Sequence, residues 1–122
     1  MTKKIVVSAL CLLLWASTAA LANKTAVSLD GPESAAAGTE ITLTVTVSHR
    51  GNSAFHHTNW IVVKADGEEI ARWNFKSSER PESENFTREL KYTVEKTVEI
   101  TTHGNCNIHG SEGPAVLKIT VE

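Results

Sequence analysis

The feature of this chain that most constrains its fold is a strict two-residue alternation over residues 41–48. Apolar side chains alternate there with threonine and serine, the apolar ones being Ile41, Leu43, Val45 and Val47. A β-strand turns successive side chains to opposite faces, and β-branched residues favour this conformation. The segment is therefore predicted to be a strand with one buried face, which requires a second layer to cover it.

Turn residues divide the rest of the chain into further short strands. Asp66-Gly67 lies between two apolar-rich runs, which is typical of a tight hairpin. No segment after residue 22 shows a helical period. Seven strands are predicted, over residues 26–29, 40–47, 60–65, 69–75, 86–94, 97–102 and 115–121. This pattern predicts an all-β fold, an immunoglobulin-like antiparallel β-sandwich of about seven strands.

The N-terminus has the order of segments found in secretory signal peptides. Lys3 and Lys4 precede an apolar run over residues 5–15, and small residues follow up to Ala22. The apolar run is too short for a comfortable membrane span. We predict a signal peptide over residues 1–22 and one domain over 23–122. The mature protein would be periplasmic or secreted and outside the membrane.

Signal cleavage would remove Cys11 and leave Cys106 as the single cysteine. Cys106 stands between two histidines in the segment 101–110, where Gly104 and Gly110 allow the backbone to turn sharply. The other histidines lie earlier in the chain, in the segment 48–59, and both segments are predicted as loops. Imidazole and thiolate are good ligands for iron, copper or zinc. Loops that follow different strands can meet at one end of a sandwich. The sequence therefore predicts a metal site, with the candidate ligands His49, His56, His103, Cys106 and His109.

The alternative without a metal site is that Cys106 is a buried or intermolecular thiol and that the histidines are solvated loop residues. The charge of the chain does not add another function. With 12 basic and 14 acidic residues, the net charge is −2, so neither nucleic acid nor an anionic membrane is predicted as a partner. A homo-oligomer remains open.

The residues around the predicted site resemble a known family, the iron-binding domain of the superoxide reductases, which includes desulfoferrodoxin and neelaredoxin. The resemblance lies in a Cys-Asn-x-His-Gly element at residues 106–110, two upstream histidines, and the pair Trp60-Ile61. It implies a mononuclear iron with four equatorial imidazoles and one axial thiolate. It also implies one-electron reduction of superoxide to hydrogen peroxide, supported by a redox partner protein.

Carried over residue by residue, the resemblance implies that His49, His56 and His109 are equatorial ligands and that Cys106 is the axial ligand. Lys24 matches the lysine that draws superoxide, a small anion, toward the metal.

The chain departs from the family at the mature N-terminus. The remaining histidine of the family falls at Thr25, and its glutamate falls at Asn23. His103 is the more attractive replacement ligand because it shares a short segment with Cys106. His57 follows His56 directly, and neighbouring side chains of an extended segment point oppositely, so His57 is expected to be exposed or to lie just outside the ligands.

Copper is an alternative to iron. Nitrogen and sulfur ligands bind copper more tightly than ferrous iron, and an exported chain would acquire its metal outside the cytoplasm. A cupredoxin-like electron carrier would use the same loops, with Glu112 as a weak axial ligand in place of methionine. A structural zinc site would also use these ligand types.

Overall fold

Eight strands account for the regular structure of the protein. The computed structural model describes residues 24–122, and the predicted signal peptide lies outside the described residues. In this range no helix is long and apolar enough to cross a membrane. The strands are β1 (Ala26–Asp30), β2 (Ser34–Ala35), β3 (Thr39–Ser48), β4 (Thr58–Ala65), β5 (Glu68–Asn74), β6 (Asn85–Val94), β7 (Val98–Cys106) and β8 (Ala115–Val121).

The strands form two sheets that face each other across one apolar core. One sheet has the order β1-β3-β6, and the other has the order β2-β8-β7-β4-β5. All pairings are antiparallel except the short parallel pairing of β2 with β8. The predicted all-β sandwich is confirmed.

The alternation that predicted β3 corresponds to its buried face. Leu43, Val45 and Val47 are fully buried, whereas the intervening threonines are partly exposed. From the opposing sheet, Ile61, Val63 and Ile100 complete the same core. Because β3 is paired on both edges, by β1 and by β6, the alternation fixes the register of the smaller sheet.

The hairpin at Asp66-Gly67 also forms as predicted. It joins β4 to β5, with Ala65 opposite Glu68. Asp66 and Gly67 both have positive φ, 48° and 83°, as a two-residue turn between twisted strands requires.

The structure corrects two expectations. It adds the two-residue strand β2, which is too short to show alternation. It also extends β7 from the predicted end at residue 102 to Cys106, so residues 103–106 are strand and not loop, and His103 lies in a strand. Gly104 made this segment look like a turn, yet on β7 it serves close packing between the sheets.

The strand ends place the predicted site at one end of the sandwich. Ser48 at the end of β3 pairs with the first residue of β1 and the first residue of β6. Thr58 at the start of β4 pairs with Cys106 at the end of β7. The segments 49–57 and 107–114 therefore leave the two sheets at the same end.

Gly104 lies beneath these segments and predicts a measurable stability effect. A Cβ atom there would meet Ile61 Cδ1 and would lie 2.9 Å from Thr25 Cγ2. The variant Gly104→Ala should lower the free energy of unfolding by about 1–3 kcal/mol, because overpacking displaces both neighbours. Urea unfolding measures the change, with Thr93→Ala on the exposed face of β6 as the control. Equal stability of Gly104→Ala and wild type would contradict the packing described here.

Candidate metal site

The first part of the site is the histidine loop, defined as residues 49–57 between β3 and β4. His49 directly follows β3 and is buried, with 4% of its surface exposed. Its backbone N–H donates to Asn85 Oδ1 at 3.4 Å. A tight turn follows, in which Ser53 and His56 exchange backbone hydrogen bonds of 2.8 and 3.3 Å. This turn brings His56 back toward His49, and their ring centroids are 4.8 Å apart.

The second part is the cysteine turn, defined as residues 106–110 after β7. Cys106 and Gly110 exchange backbone hydrogen bonds of 2.9 and 3.0 Å, which closes the turn. Gly110 has a φ of 81°, a conformation that glycine adopts without strain. The closed turn directs the backbone N–H of His109 at Cys106 Sγ, 3.4 Å away. The thiolate is the form of cysteine that binds metals.

Asn107 ties the two parts together. Its side-chain Oδ1 accepts the backbone N–H of His57 at 3.0 Å, and its own backbone N–H donates to the carbonyl of His57 at 3.1 Å. Its Nδ2 donates to the carbonyl of Phe55 at 3.2 Å. These three bonds continue the pairing of β4 with β7 into the loops and hold the ligand-bearing segments side by side.

Four of the five residues predicted as ligands come together at this junction. The ligand atoms of His49, His56 and Cys106 all lie within 4.8 Å of one another. His109 joins them, with Nδ1 at 3.2 Å from His56 Nε2 and 3.8 Å from Cys106 Sγ. His49 and Cys106 are buried, whereas His109 is exposed, so the cluster has one inner side and one side toward solvent.

These separations fit a single metal ion. Bonds of about 2.0–2.3 Å from one metal to nitrogen and sulfur place neighbouring ligand atoms roughly 3–4 Å apart. The observed distances of 3.2 and 3.8 Å lie in that range. Three imidazoles and one thiolate suit iron, copper or zinc. The donor set therefore fits a mononuclear centre, with three imidazoles from the described residues.

His103, the fifth predicted ligand, is not brought to the cluster. Side chains of β7 alternate, so Cys106 lies on the core-facing side with Gly104, and His103 lies on the outer side. There its ring packs edge-on against Trp60, with centroids 4.9 Å apart. Partial burial, and then the charges of Lys64 and Arg72, lower the pKa of His103 below its usual value. The ring thus packs against Trp60 on the outer face of the sheet.

His57 does not join the cluster either, and it is buried, not exposed. Only 4% of its surface is accessible, and its Nδ1 lies 3.1 Å from the carbonyl oxygen of Ser53. A carbonyl only accepts, so this contact makes Nδ1 the protonated nitrogen of the ring. His57 thus braces the histidine loop from inside, next to His56.

Thr25 occupies the position where the resemblance places a fourth imidazole. It is fully buried, and its hydroxyl is 3.0 Å from that of Thr58. Its backbone bonds to the carbonyl of Gly110 and to the N–H of Glu112, at 3.2 and 2.9 Å. Thr25 therefore fastens the N-terminal segment to the cysteine turn and fills the interior beneath it.

A cleft of about 350 Å³ opens beside His49. Lys24, the residue matched to the anion-attracting lysine, lines it together with Arg50. Glu84 and Glu112 also line it. Among the described residues, the salt bridges are Arg72–Glu69 and Arg88–Glu82, so neither Lys24 nor Arg50 is held by a carboxylate. The cleft thus offers two cations next to a candidate ligand.

Asn107 was predicted only as part of the Cys-Asn-x-His-Gly element, and Arg50 was not predicted. The role of Asn107 depends on the pairing of β4 with β7, which is not visible in the sequence. Arg50 follows His49 directly, and this adjacency was a usable signal for a second cation near the site.

Comparison with known proteins bears on this site. The sequence profile of the family described as Desulfoferrodoxin matches residues 19–111, which include both loops. No curated protein sequence matches the chain.

Several solved structures share the fold. A superoxide reductase (neelaredoxin) from Ignicoccus hospitalis is 22% identical, with a TM-score of 0.68 over 81% of this chain and 83% of that chain. A single-residue variant of that protein is 26% identical, with a TM-score of 0.65 over 83% of each chain. A CARDB domain from Pyrococcus furiosus, solved with di-metal ions, is 12% identical, with a TM-score of 0.58 over 83% of this chain and 97% of that chain.

Alanine variants of two histidines distinguish a residue of the metal cluster from a residue on the outer face of the sheet. His109→Ala should weaken cobalt(II) binding by at least about tenfold, because it removes a group that can ligate. His103→Ala should leave cobalt(II) affinity within about twofold, because its ring packs on Trp60. Titration of the apoprotein, followed by the thiolate-to-metal absorption band, measures both. A larger loss in His103→Ala than in His109→Ala would contradict the arrangement.

Proposed function

The chain belongs to the desulfoferrodoxin family, and on that premise we propose that it is an exported superoxide reductase with a mononuclear iron centre. Family members bind a mononuclear iron, act on superoxide and receive electrons from redox partners. The observation that carries the proposal is the convergence of three imidazoles and the Cys106 thiolate at one end of the sandwich. A bound iron ion would supply the electron that superoxide takes.

The residues around the thiolate support this chemistry. Cys106 is 1% exposed and receives the backbone N–H of His109. Burial limits the access of oxidants to the sulfur. An electron-rich thiolate that is shielded from solvent can donate to a metal without being consumed. The exposed edge at His109 leaves room for a small molecule on the other side of the cluster.

Lys24 would attract the substrate. Superoxide is a monoanion, and the cleft beside His49 presents Lys24 and Arg50 to it. A positive potential in a cleft raises the local concentration of an anion and its rate of association. The carboxylates of Glu84 and Glu112 line the same cleft and bring its formal charge to zero, so the attraction would be local to Lys24 and Arg50. Arg50 would reinforce Lys24 in this chain.

The number of imidazoles favours one second candidate, a copper-binding or electron-transfer protein. The described residues bring three imidazoles to the thiolate, and Thr25 stands where a fourth is expected. Two or three imidazoles with one thiolate are also a copper donor set, and copper binds such ligands more tightly than ferrous iron. The candidates differ in the metal that native protein contains and in their reaction with superoxide.

Export is part of the proposal because it decides where the metal is acquired. Its support is the basic, apolar and small-residue order of residues 1–22. We expect protein recovered from the native periplasm to begin at Asn23, as measured by intact mass. Full-length chain confined to the cytoplasm would contradict export.

The yield of peroxide tests the proposed reaction. Each superoxide should take one electron from the reduced protein and two protons from solvent, and leave as one hydrogen peroxide. Spontaneous dismutation gives one peroxide for every two superoxide ions, because the other becomes dioxygen. We expect reduced, iron-loaded protein in excess over superoxide to give one peroxide per superoxide consumed.

Two variants control this measurement. Cys106→Ala should return the yield to that of dismutation, because it removes the thiolate. Lys24→Gln should keep the full yield but slow the reaction by roughly twofold to tenfold at low salt, because it removes one attracting charge. A dismutation yield from wild-type protein would refute the proposed function, and an unchanged rate in Lys24→Gln would refute the role of Lys24.

A further inference from the structure

A second segment, besides the cysteine turn, packs against the histidine loop. It comprises residues 75–84 between β5 and β6, and we call it the strap. The hydroxyl of Ser77 donates to the carbonyl of Ala54 at 2.8 Å. Nδ2 of Asn52 donates to the carbonyl of Pro81, also at 2.8 Å. The strap thus holds the histidine loop at two points that lie between His49 and His56 in the chain.

The strap is itself fixed to the fold. Lys76 and Glu79 exchange backbone hydrogen bonds of 3.2 and 2.9 Å, which close a tight turn at its start. Pro81, in its middle, is buried. The carboxylate of Glu82 then accepts two hydrogen bonds of 2.9 Å from the guanidinium of Arg88 on β6. The carbonyl of Pro81 therefore has a defined position from which it can hold Asn52.

Asn52 connects the strap to the metal cluster through the residue before it. Its Oδ1 is buried and accepts no hydrogen bond from any described residue, so the Nδ2 bond to Pro81 alone fixes the amide. The preceding residue, Gly51, has a φ of 145°. A Cβ atom on Gly51 would lie 2.5 Å from Nδ1 and 2.7 Å from Cε1 of His56. The imidazole of His56 therefore rests directly on the backbone of Gly51.

This contact orients the ring of His56. Nδ1 faces Gly51, whereas Nε2 lies 3.2 Å from Nδ1 of His109, on the side of the cluster. The other ring in contact is that of His49, with centroids 4.8 Å apart. Both neighbouring rings are candidate ligands, so Gly51 supports the imidazole from outside the ligand set. Loss of a contact that orients a ligand from outside typically lowers metal affinity by about 10–100-fold.

We propose that Asn52, held by the carbonyl of Pro81, is a positioning residue of the metal site. It fixes Gly51 against the imidazole of His56 and thereby directs Nε2 of that ring toward the cluster. This role rests on the proposed function in one respect, that His56 is a metal ligand. It requires neither a particular native metal nor a reaction with superoxide. The strap thus sets the metal affinity without supplying a ligand.

Cobalt(II) titration of the apoprotein tests the role of Asn52. The thiolate-to-metal band gives the affinity, and the d–d bands report the coordination geometry. Asn52→Ala should weaken cobalt(II) binding by at least about fivefold, because the support of His56 is released. It should also shift the d–d bands, because the ligand approaches the metal at a different angle.

A double-mutant cycle determines whether Asn52 acts through His56. In a His56→Ala background, Asn52→Ala should change the cobalt(II) affinity by less than about twofold, because the ring that it orients is gone. In a His109→Ala background, the loss of at least about fivefold should persist, because His56 is still present. A general loosening of the histidine loop would instead lower the affinity in both backgrounds.

Two controls separate positioning from stability. Asn74 is exposed at the end of β5, outside both the histidine loop and the strap, so Asn74→Ala should bind cobalt(II) as wild type does. Urea unfolding of each apoprotein gives the stability that the substitution removes. A purely structural role of Asn52 would lower that stability and leave the d–d bands of bound cobalt(II) at their wild-type positions.

Three results would overturn the positioning role. They are a cobalt(II) affinity of Asn52→Ala within about twofold of wild type, unshifted d–d bands, and an undiminished loss in the His56→Ala background. None of these measurements uses superoxide. Wild-type protein that binds cobalt(II) with a thiolate band but gives the peroxide yield of dismutation would refute the proposed reaction and leave the role of Asn52 intact. Wild-type protein that binds no cobalt(II) would overturn both.

Discussion

The metal site depends on the pairing of β4 with β7. The two strands place Thr58 opposite Cys106 at the end of the sandwich, and Asn107 extends the pairing by two further bonds to His57. The histidine loop precedes β4 and the cysteine turn follows β7, so a single ladder positions both. Backbone hydrogen bonds between buried strands hold this geometry more firmly than loop contacts could, because breaking them would leave buried polar groups unpaired.

Much of the fold could be predicted from local patterns. The alternation in β3 permits only one register, because a shift of one residue would expose Leu43, Val45 and Val47. The seven predicted strands all occur. Patterns failed where tertiary packing overrode them. Gly104 suggested a turn, but the strand needs a glycine there to admit Ile61 and Thr25. Because residue 103 lies in β7, the alternation of side chains places His103 on the face opposite to Cys106, outside the predicted site.

The kinds of ligand in the cluster could be predicted from the sequence better than the number of ligands. Their spacing made His103, Cys106 and His109 candidate ligands. In the structure, the alternation of side chains along β7 places His103 away from the other two. The absence of a histidine at position 25 was visible in the sequence. That Thr25 would instead pair with Thr58 and pack against Gly104 was not visible, because these contacts join three distant parts of the chain. The interior beneath the cluster is thereby filled by two threonines, and the described residues bring three imidazoles to the thiolate.

Metal analysis with a visible spectrum, on protein purified from its native source without added metal, tests the central claim most directly. We expect close to one iron ion per chain and, after oxidation, a thiolate-to-iron absorption band. Stoichiometric zinc, or iron without that band, would contradict it, because Cys106 would then not ligate a redox-active iron. Stoichiometric copper with a thiolate band would contradict the reductase and leave the electron-transfer protein.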